Sequence, residues 1–319
     1  MTRTKFDRRD IVKLMAGASA IGASGAGALW PAAAEAAAPA YDPDGKFELD
    51  VKEVEFRRNS AGRMLMARIY QPKGRGPFPA ALDLHGGAWN NKDRTAEEPM
   101  DRALATSGLL IVAIDMTLAP EAPYPACVQD ANYGVRWLKA NAATWNGDAS
   151  KLGVYGSSSG GHVAELLAMR PHDPRYNAIP LAAAPKLDAS VAWIATRSPI
   201  SDTVARYENA ERHHNDGMIK ANKIFFNPWE TIHESNPREI LERKEKIAHV
   251  PFLVMQGALD DNMPPAAQEN FVKLYKAVGG HCEFHLFENS PHEWVAQEGP
   301  QTDKARAAVK AFVARQLKS

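Results

Sequence analysis

From residue 46 onward, short apolar runs and segments of helical periodicity take turns along the chain. Runs 46–56 and 64–70 flank the turn Asn59-Ser60-Ala61-Gly62 and read as two adjacent antiparallel strands. Run 80–85 leads into glycines, and 109–114 (Leu-Leu-Ile-Val-Ala-Ile) is apolar without interruption, as a strand covered on both faces must be. Segment 128–141 carries Val128, Ala131, Val135 and Leu138 at helical spacing. A strand at 152–155, a helix at 160–169 and a strand at 190–195 follow. A strand at 252–256, a helix at 266–278, a strand at 282–287 and a helix at 302–317 complete the series. Parallel strands need crossovers, and a helix in each crossover covers a sheet face. The pattern therefore predicts the α/β class, with a mostly parallel central sheet and helices on both faces.

One stretch breaks the rhythm. From about 197 to 246 there is no strand pattern, only charged helical stretches (202–222) and the aromatic group Phe225, Phe226 and Trp229. We read it as a helical lid inserted between two core strands, over the C-terminal edge of the sheet. Its charged face should meet water and its aromatics should face inward. The plainer alternative is that these rings only anchor the insertion to the core.

Residues 1–38 differ in kind from the rest. Arg8-Arg9 with Lys13 behind them precede a weakly apolar, Gly/Ala-rich run at 14–30, and then an Ala-rich stretch with small-x-small cleavage sites. Basic, apolar, then small residues is the order of a secretory signal, and the paired arginines resemble a bacterial twin-arginine signal. The alternative is a membrane anchor, but Gly and Ala give the run little driving force to span a bilayer. The expectation is a cleaved signal at 1–38, a catalytic domain at 39–319 and a periplasmic or secreted product with no membrane association after cleavage. The two cysteines, Cys127 and Cys282, fit no metal spacing and are expected to be unpaired thiols.

Lys plus Arg equals Asp plus Glu, at 38 each, so there is no basic excess to recruit nucleic acid. A small molecule is the expected partner; no metal or organic cofactor is implied, and no oligomeric state can be read.

The chemistry centres on Gly156-Ser157-Ser158-Ser159-Gly160-Gly161, between the strand at 152–155 and the helix at 160–169. Gly-x-Ser-x-Gly alone is a weak signal, and a Ser/Gly loop capping a helix would look alike. In strand–turn–helix context it has a physical reason: small residues flank a turn tight enough to lift the Ser158 hydroxyl clear of the sheet. A nucleophilic serine needs a base, and the base an orienting acid. Asp260 and Asp261 follow the strand at 252–256, where sites in parallel sheets collect. Asp260 is the candidate acid; Asp261 is its rival, or else a solvated or capping residue. His292 lies just past the last strand and is the candidate base. His285 lies mid-strand, and His213 and His214 sit among charged residues; both settings suit packing or solvent better than catalysis. His85-Gly86-Gly87-Ala88-Trp89 follows the strand at 80–84 and can aim backbone N–H groups at a developing oxyanion. Gly87, Ala88 and Ser159 are the expected donors, with Gly86 a further candidate, and His85 is expected to order the loop.

These motifs, with Asp115-Met116-Thr117-Leu118-Ala119-Pro120-Glu121 and Tyr124-Pro125, resemble the esterase/lipase branch of the α/β-hydrolases. The likeness is to the hormone-sensitive-lipase-like and bacterial feruloyl-esterase-like (BD-FAE) groups, and it covers essentially all of 39–319. It implies the α/β-hydrolase fold, a Ser158–His292–Asp260 triad and hydrolysis of carboxylic esters through an acyl-enzyme. Ala88 replaces a frequent third glycine, which backbone donation tolerates. Thr117 stands where those groups usually carry Arg, so a structural ion pair is expected to be missing; Asp115 is read as structural. The alternatives are an amidase or peptidase with the same triad, although no charged group to hold a peptide terminus is evident, and a non-catalytic binding protein on the same fold. Trp89, Phe226, Trp229 and Trp294 are candidate substrate-binding residues, with core packing as the alternative for each.

Overall fold

The computed structural model describes residues 41–319, so the expected signal at 1–38 lies outside the described residues. Eight strands form one sheet: β1 (Leu49–Arg58), β2 (Met64–Pro72), β3 (Phe78–Leu84), β4 (Leu110–Ile114), β5 (Gly147–Ser157), β6 (Trp193–Arg197), β7 (Phe252–Gly257) and β8 (Cys282–Phe287). Their spatial order is β1-β2-β4-β3-β5-β6-β7-β8. The β1–β2 and β2–β4 pairs are antiparallel, and every pair from β4 to β8 is parallel.

Among the described residues the α-helices are α1 (Glu98–Ala105), α2 (Ala126–Asn141), α3 (Ser159–Met169), α4 (Thr203–Arg212), α5 (Asp216–Phe225), α6 (Thr231–Glu234), α7 (Pro237–Glu242), α8 (Pro265–Ala277) and α9 (Pro300–Lys318). Strand side chains alternate between two cores, which is why the central strands read as unbroken apolar runs. Leu110, Val112 and Ile114 of β4 pack in one core with Val128, Val135 and Leu138 of α2 and with α3 and α8. Ile111 and Ala113 pack in the other with Met100 and Leu104 of α1 and Val309 and Phe312 of α9.

The order places the site. From β3 the chain moves outward to β4, then returns so that β5 lies on the other flank of β3. The crevice where strand order reverses, beyond the carboxyl ends, is where parallel sheets bind ligands. The loop after β3 and the turn after β5 both open into it.

Some expectations need correction. Helix α1 was not foreseen, because its apolar face is only Met100, Leu104 and Ala105, too short a stripe for periodicity to register. The strand expected at 190–195 runs Trp193–Arg197, so the insertion begins after Arg197 rather than at it. Sequence patterning does not admit a cation to a central strand; here Arg197 is buried against the equally buried Glu97. The insertion itself comprises α4 to α7, between β6 and β7. Cys127 and Cys282 are both buried free thiols.

Candidate active site

Ser158 is the cap of α3, with φ 50° and ψ −119°. This conformation is strained for a side chain other than glycine and is held by its surroundings. The Ser158 amide donates to Arg197 O at 2.9 Å, and its carbonyl accepts from His162 N at 3.1 Å. Close approach requires the glycine at Gly160, where a Cβ would fall 2.0 Å from Leu84 O and 2.4 Å from His85 O. The turn is thereby pressed against the end of β3, so the serine and the His85–Trp89 loop share one crevice.

His292 joins the other two parts. Its Nε2 lies 2.8 Å from Ser158 Oγ, and its Nδ1 lies 2.9 Å from both carboxylate oxygens of Asp260. With a carboxylate beside Nδ1 the proton sits on that nitrogen, leaving Nε2 free to accept from the serine hydroxyl. Ser158 is 6% exposed and His292 9%, so both lie largely shielded from bulk water. Asp260 Oδ1 also accepts from the amides of Asn262 at 3.0 Å and Met263 at 2.8 Å, and Oδ2 from Gln256 Nε2 at 2.8 Å. Burial pushes the Asp260 carboxyl up, but the bond to His292 and the Met263 amide outweigh it and hold it below the usual carboxylate range. The rival, Asp261, is exposed, and its backbone carbonyl accepts from Asn209 Nδ2 at 2.6 Å. The structure therefore brings Asp260, not Asp261, to His292.

In the loop after β3, Gly87 (φ 108°), Ala88 (φ 51°) and Trp89 (φ 60°) are three successive left-handed residues. The amides of Asn90 and Asn91 both donate to Gly87 O at 3.1 Å, which curls the loop on itself. Among the described residues, the N–H groups of Gly87, Ala88 and Ser159 donate to no protein acceptor. Gly86 lies against the serine: a Cβ there would come 3.3 Å from Ser158 Cβ. Buried His85 pairs through Nδ1 with Gly86 O at 2.7 Å, and burial lowers its pKa. Asp115 accepts from the amides of Met66 and Arg94, joining β2 to this loop. At Thr117, the amide donates at 2.6 Å to buried Asp130, which is paired by Arg57 of β1, so a cation reaches this spot from another strand.

The four aromatic candidates separate. Trp89 is buried, with Phe225 stacked on its ring at 4.3 Å and Phe226 edge-on at 5.2 Å. Trp229 does not face inward: it is 37% exposed, edge-on to Tyr207 at 4.7 Å. With Phe226, Tyr207, Lys223 and Asn227 it lines an open groove of about 370 Å³. Trp294 belongs to the core shared with α1 and α9, against Phe287 at 5.1 Å, the arrangement of the core-packing alternative. A bulky ring two residues after a candidate base looks like a pocket residue, but at the start of a short 3-10 turn (Trp294–Ala296) it is buried in that core.

Sequence reasoning missed Gln256, Glu97, Arg197 and Arg206. Gln256 had a signal, as the polar end of an otherwise apolar strand. The other three gave none, because their partners are distant in sequence. Among the described residues no group of three or more His, Cys, Asp or Glu is placed to hold a metal ion.

The family model BD-FAE matches residues 68–274, from β2 through most of α8, and takes in the loop after β3, the serine turn and Asp260. The chain belongs to the BD-FAE family. Carboxylesterase NlhH of Mycobacterium tuberculosis is 36% identical over 108 residues, covering 33% of this chain and 34% of its own length. Esterase LipC of the same organism is 26% identical over 246 residues, covering 74% of this chain and 58% of its own length. The chain thus matches less than two thirds of either relative. Among solved structures, esterase B from Lactobacillus rhamnosis superposes with a TM-score of 0.71 at 19% identity, over 86% of this chain and 90% of that one. A truncated carbohydrate esterase from gut microbiota gives 0.71 at 16% identity, over 88% and 100%. At these identities the likeness establishes the fold, and this BD-FAE member has the α/β-hydrolase fold.

Proposed function

We propose that this BD-FAE member hydrolyses carboxylic esters of small molecules through an acyl-enzyme on Ser158. The observation that carries the reading is the continuous line from Ser158 Oγ through His292 to Asp260, with a strained serine at its head. Ser158 Oγ attacks the ester carbonyl while His292 Nε2 takes its proton. The carbonyl oxygen becomes an oxyanion facing the free N–H groups of Gly87, Ala88 and Ser159, each such donor contributing roughly 3 kcal/mol. The intermediate expels the alkoxide, which receives the proton from His292. Water, deprotonated by the same nitrogen, attacks the acyl-serine; the acid leaves and Ser158 recovers its proton. Asp260 keeps the imidazole in the tautomer this cycle needs and stabilises the imidazolium. The likeness to carboxylesterase NlhH and esterase LipC supports esters as the substrate class. In the same proposal Trp89, on the loop after β3, and Phe226, packed edge-on against it, are the aromatic side chains that border the acyl group. Export through the twin-arginine route, and a periplasmic or secreted site of action, are part of the same proposal.

The test is a rate panel of nitrophenyl esters of graded acyl length and of hydroxycinnamate esters, with labelling by an alkyl phosphonate probe. Wild type should turn over at least one class and carry the label on Ser158. Ser158→Ala should do neither while keeping its melting temperature. Ester turnover by Ser158→Ala above a few per cent of wild type would overturn the reading.

A further inference from the structure

Helix α4 lays two side chains on the loop that carries Asp260. Asn209 Nδ2 donates to Asp261 O at 2.6 Å, and Arg206 Nε donates to Asn262 Oδ1 at 2.8 Å. Arg206 Nη1 reaches Asn222 Oδ1 of α5 at 3.3 Å. The guanidinium also lies over the ring of Trp89, 4.9 Å from its centroid, and the residue is 0% exposed. Its third nitrogen, Nη2, has no hydrogen-bond partner among the described residues, and no carboxylate there forms an ion pair with it. Burial lowers the Arg206 pKa to about 9, and Asp260 is the carboxylate that opposes the shift. A buried cation without a paired anion is costly, so the fold must depend on what it holds.

What it holds is specific. The amides of Asn262 and Met263 aim Asp260 Oδ1 at His292, and Arg206 grips the side chain of that same Asn262. On its other side Arg206 meets Trp89, whose backbone is part of the loop expected to bind the oxyanion. We infer that Arg206 is a positioning residue: one guanidinium from the inserted helices locks the Asp260 loop and the Trp89 loop into a single register. The insertion then takes part in aligning the triad. A planar fork can hold an amide oxygen and stack on an indole at once, whereas a lysine ammonium holds one point. The inference rests on the proposed role of Asp260.

The experiment measures kcat and KM for Arg206→Met and Arg206→Lys, each in the wild-type and Asp260→Asn backgrounds, with circular dichroism to confirm folding. Because a displacement of about 1 Å in a catalytic group costs on the order of 10²-fold, Arg206→Met should lower kcat by about that factor with KM within about threefold. Arg206→Lys should recover about tenfold of this loss, keeping the charge but not the fork. In the Asp260→Asn background Arg206→Met should cost under about threefold, since groups acting as a unit are not additive. The same cost in both backgrounds, or a raised KM with kcat intact, would overturn the inference. If Arg206→Met does not fold, Asn262→Ala decides: a fall in kcat of about tenfold that vanishes in Asp260→Asn supports it, and an unchanged kcat overturns it. An Asp260→Asn variant with full kcat would instead remove the triad reading itself, and the inference with it.

Discussion

Arg197 Nη1 donates to the backbone carbonyl of His292 at 2.6 Å, from inside the sheet, while its Nη2 meets Glu97 at 3.3 Å. The same Glu97 accepts from Ser157, the residue before the candidate nucleophile. The loop bearing His292 and the turn bearing Ser158 are thus tied to one buried ion pair. Burial alone would lower the Arg197 pKa, but Glu97 reverses this and keeps the guanidinium charged. Arg197→Met should therefore destabilise by about 3–5 kcal/mol in urea unfolding, because Glu97 loses its partner. It should also lower kcat, because the His292 carbonyl loses its donor. A variant within 1 kcal/mol of wild type would show that the pair is dispensable.

Asp260 and Asp261 differ sharply in surroundings, and the difference is measurable. Asp260→Asn should lower kcat by about 10³–10⁴-fold, the loss found when the orienting acid of a triad is removed. Asp261→Asn should cost under about tenfold, since its backbone carbonyl rather than its carboxylate is engaged. Steady-state rates of the two variants on one nitrophenyl ester rank them, and the reverse order would move the acid to Asp261.

Glu165 on α3 is fully buried, accepts from Ser201 Oγ at 2.7 Å, and leaves its other oxygen without a partner. Burial raises its pKa to about 8, with the Ser201 bond opposing. At neutral pH the folded chain therefore keeps a proton that the unfolded chain has released. Its contribution to stability is present below the unfolded pKa, near the ordinary glutamate value of 4.5, and declines as pH rises toward about 8. Glu165→Gln should remove up to about 1.4 kcal/mol per pH unit of that downward slope between these limits. Urea unfolding of both proteins from pH 5 to 8 reads it directly; parallel slopes would mean that Glu165 is ionised in the fold.

Phe226 and Trp229 both come from the insertion, yet Phe226 touches Trp89 while Trp229 meets solvent. Phe226→Ala should change the rate ratio between short aliphatic and bulky aromatic esters by roughly 10–200-fold, the span open to hydrophobic pocket contacts. Trp229→Ala should leave that ratio within about threefold. Equal depression of both substrates together with a lowered melting temperature in Phe226→Ala would mean that the ring only anchors the insertion.

Local signals carried a large part of this protein. Unbroken apolar runs marked the central strands because both sheet faces are covered, and glycines around Ser158 marked a turn too tight for a Cβ. Ser158, Asp260 and His292 each follow a strand that ends on one edge of a parallel sheet, and their order along the chain is the one that the resemblance to the α/β-hydrolases implies. Only the tertiary structure decided what depends on partners far apart along the chain. It chose Asp260 over Asp261, because the amides of Asn262 and Met263 can aim just one of two adjacent carboxylates at His292. It turned Trp294 into core and Trp229 into surface, since hydrophobicity alone does not say which layer a ring joins. It also brought Glu97 to Arg197 and Arg206 to Trp89. The groups that surround a buried charge, an anion for Arg197 and amide oxygens with an indole face for Arg206, are distant in sequence, and only folding brings them together.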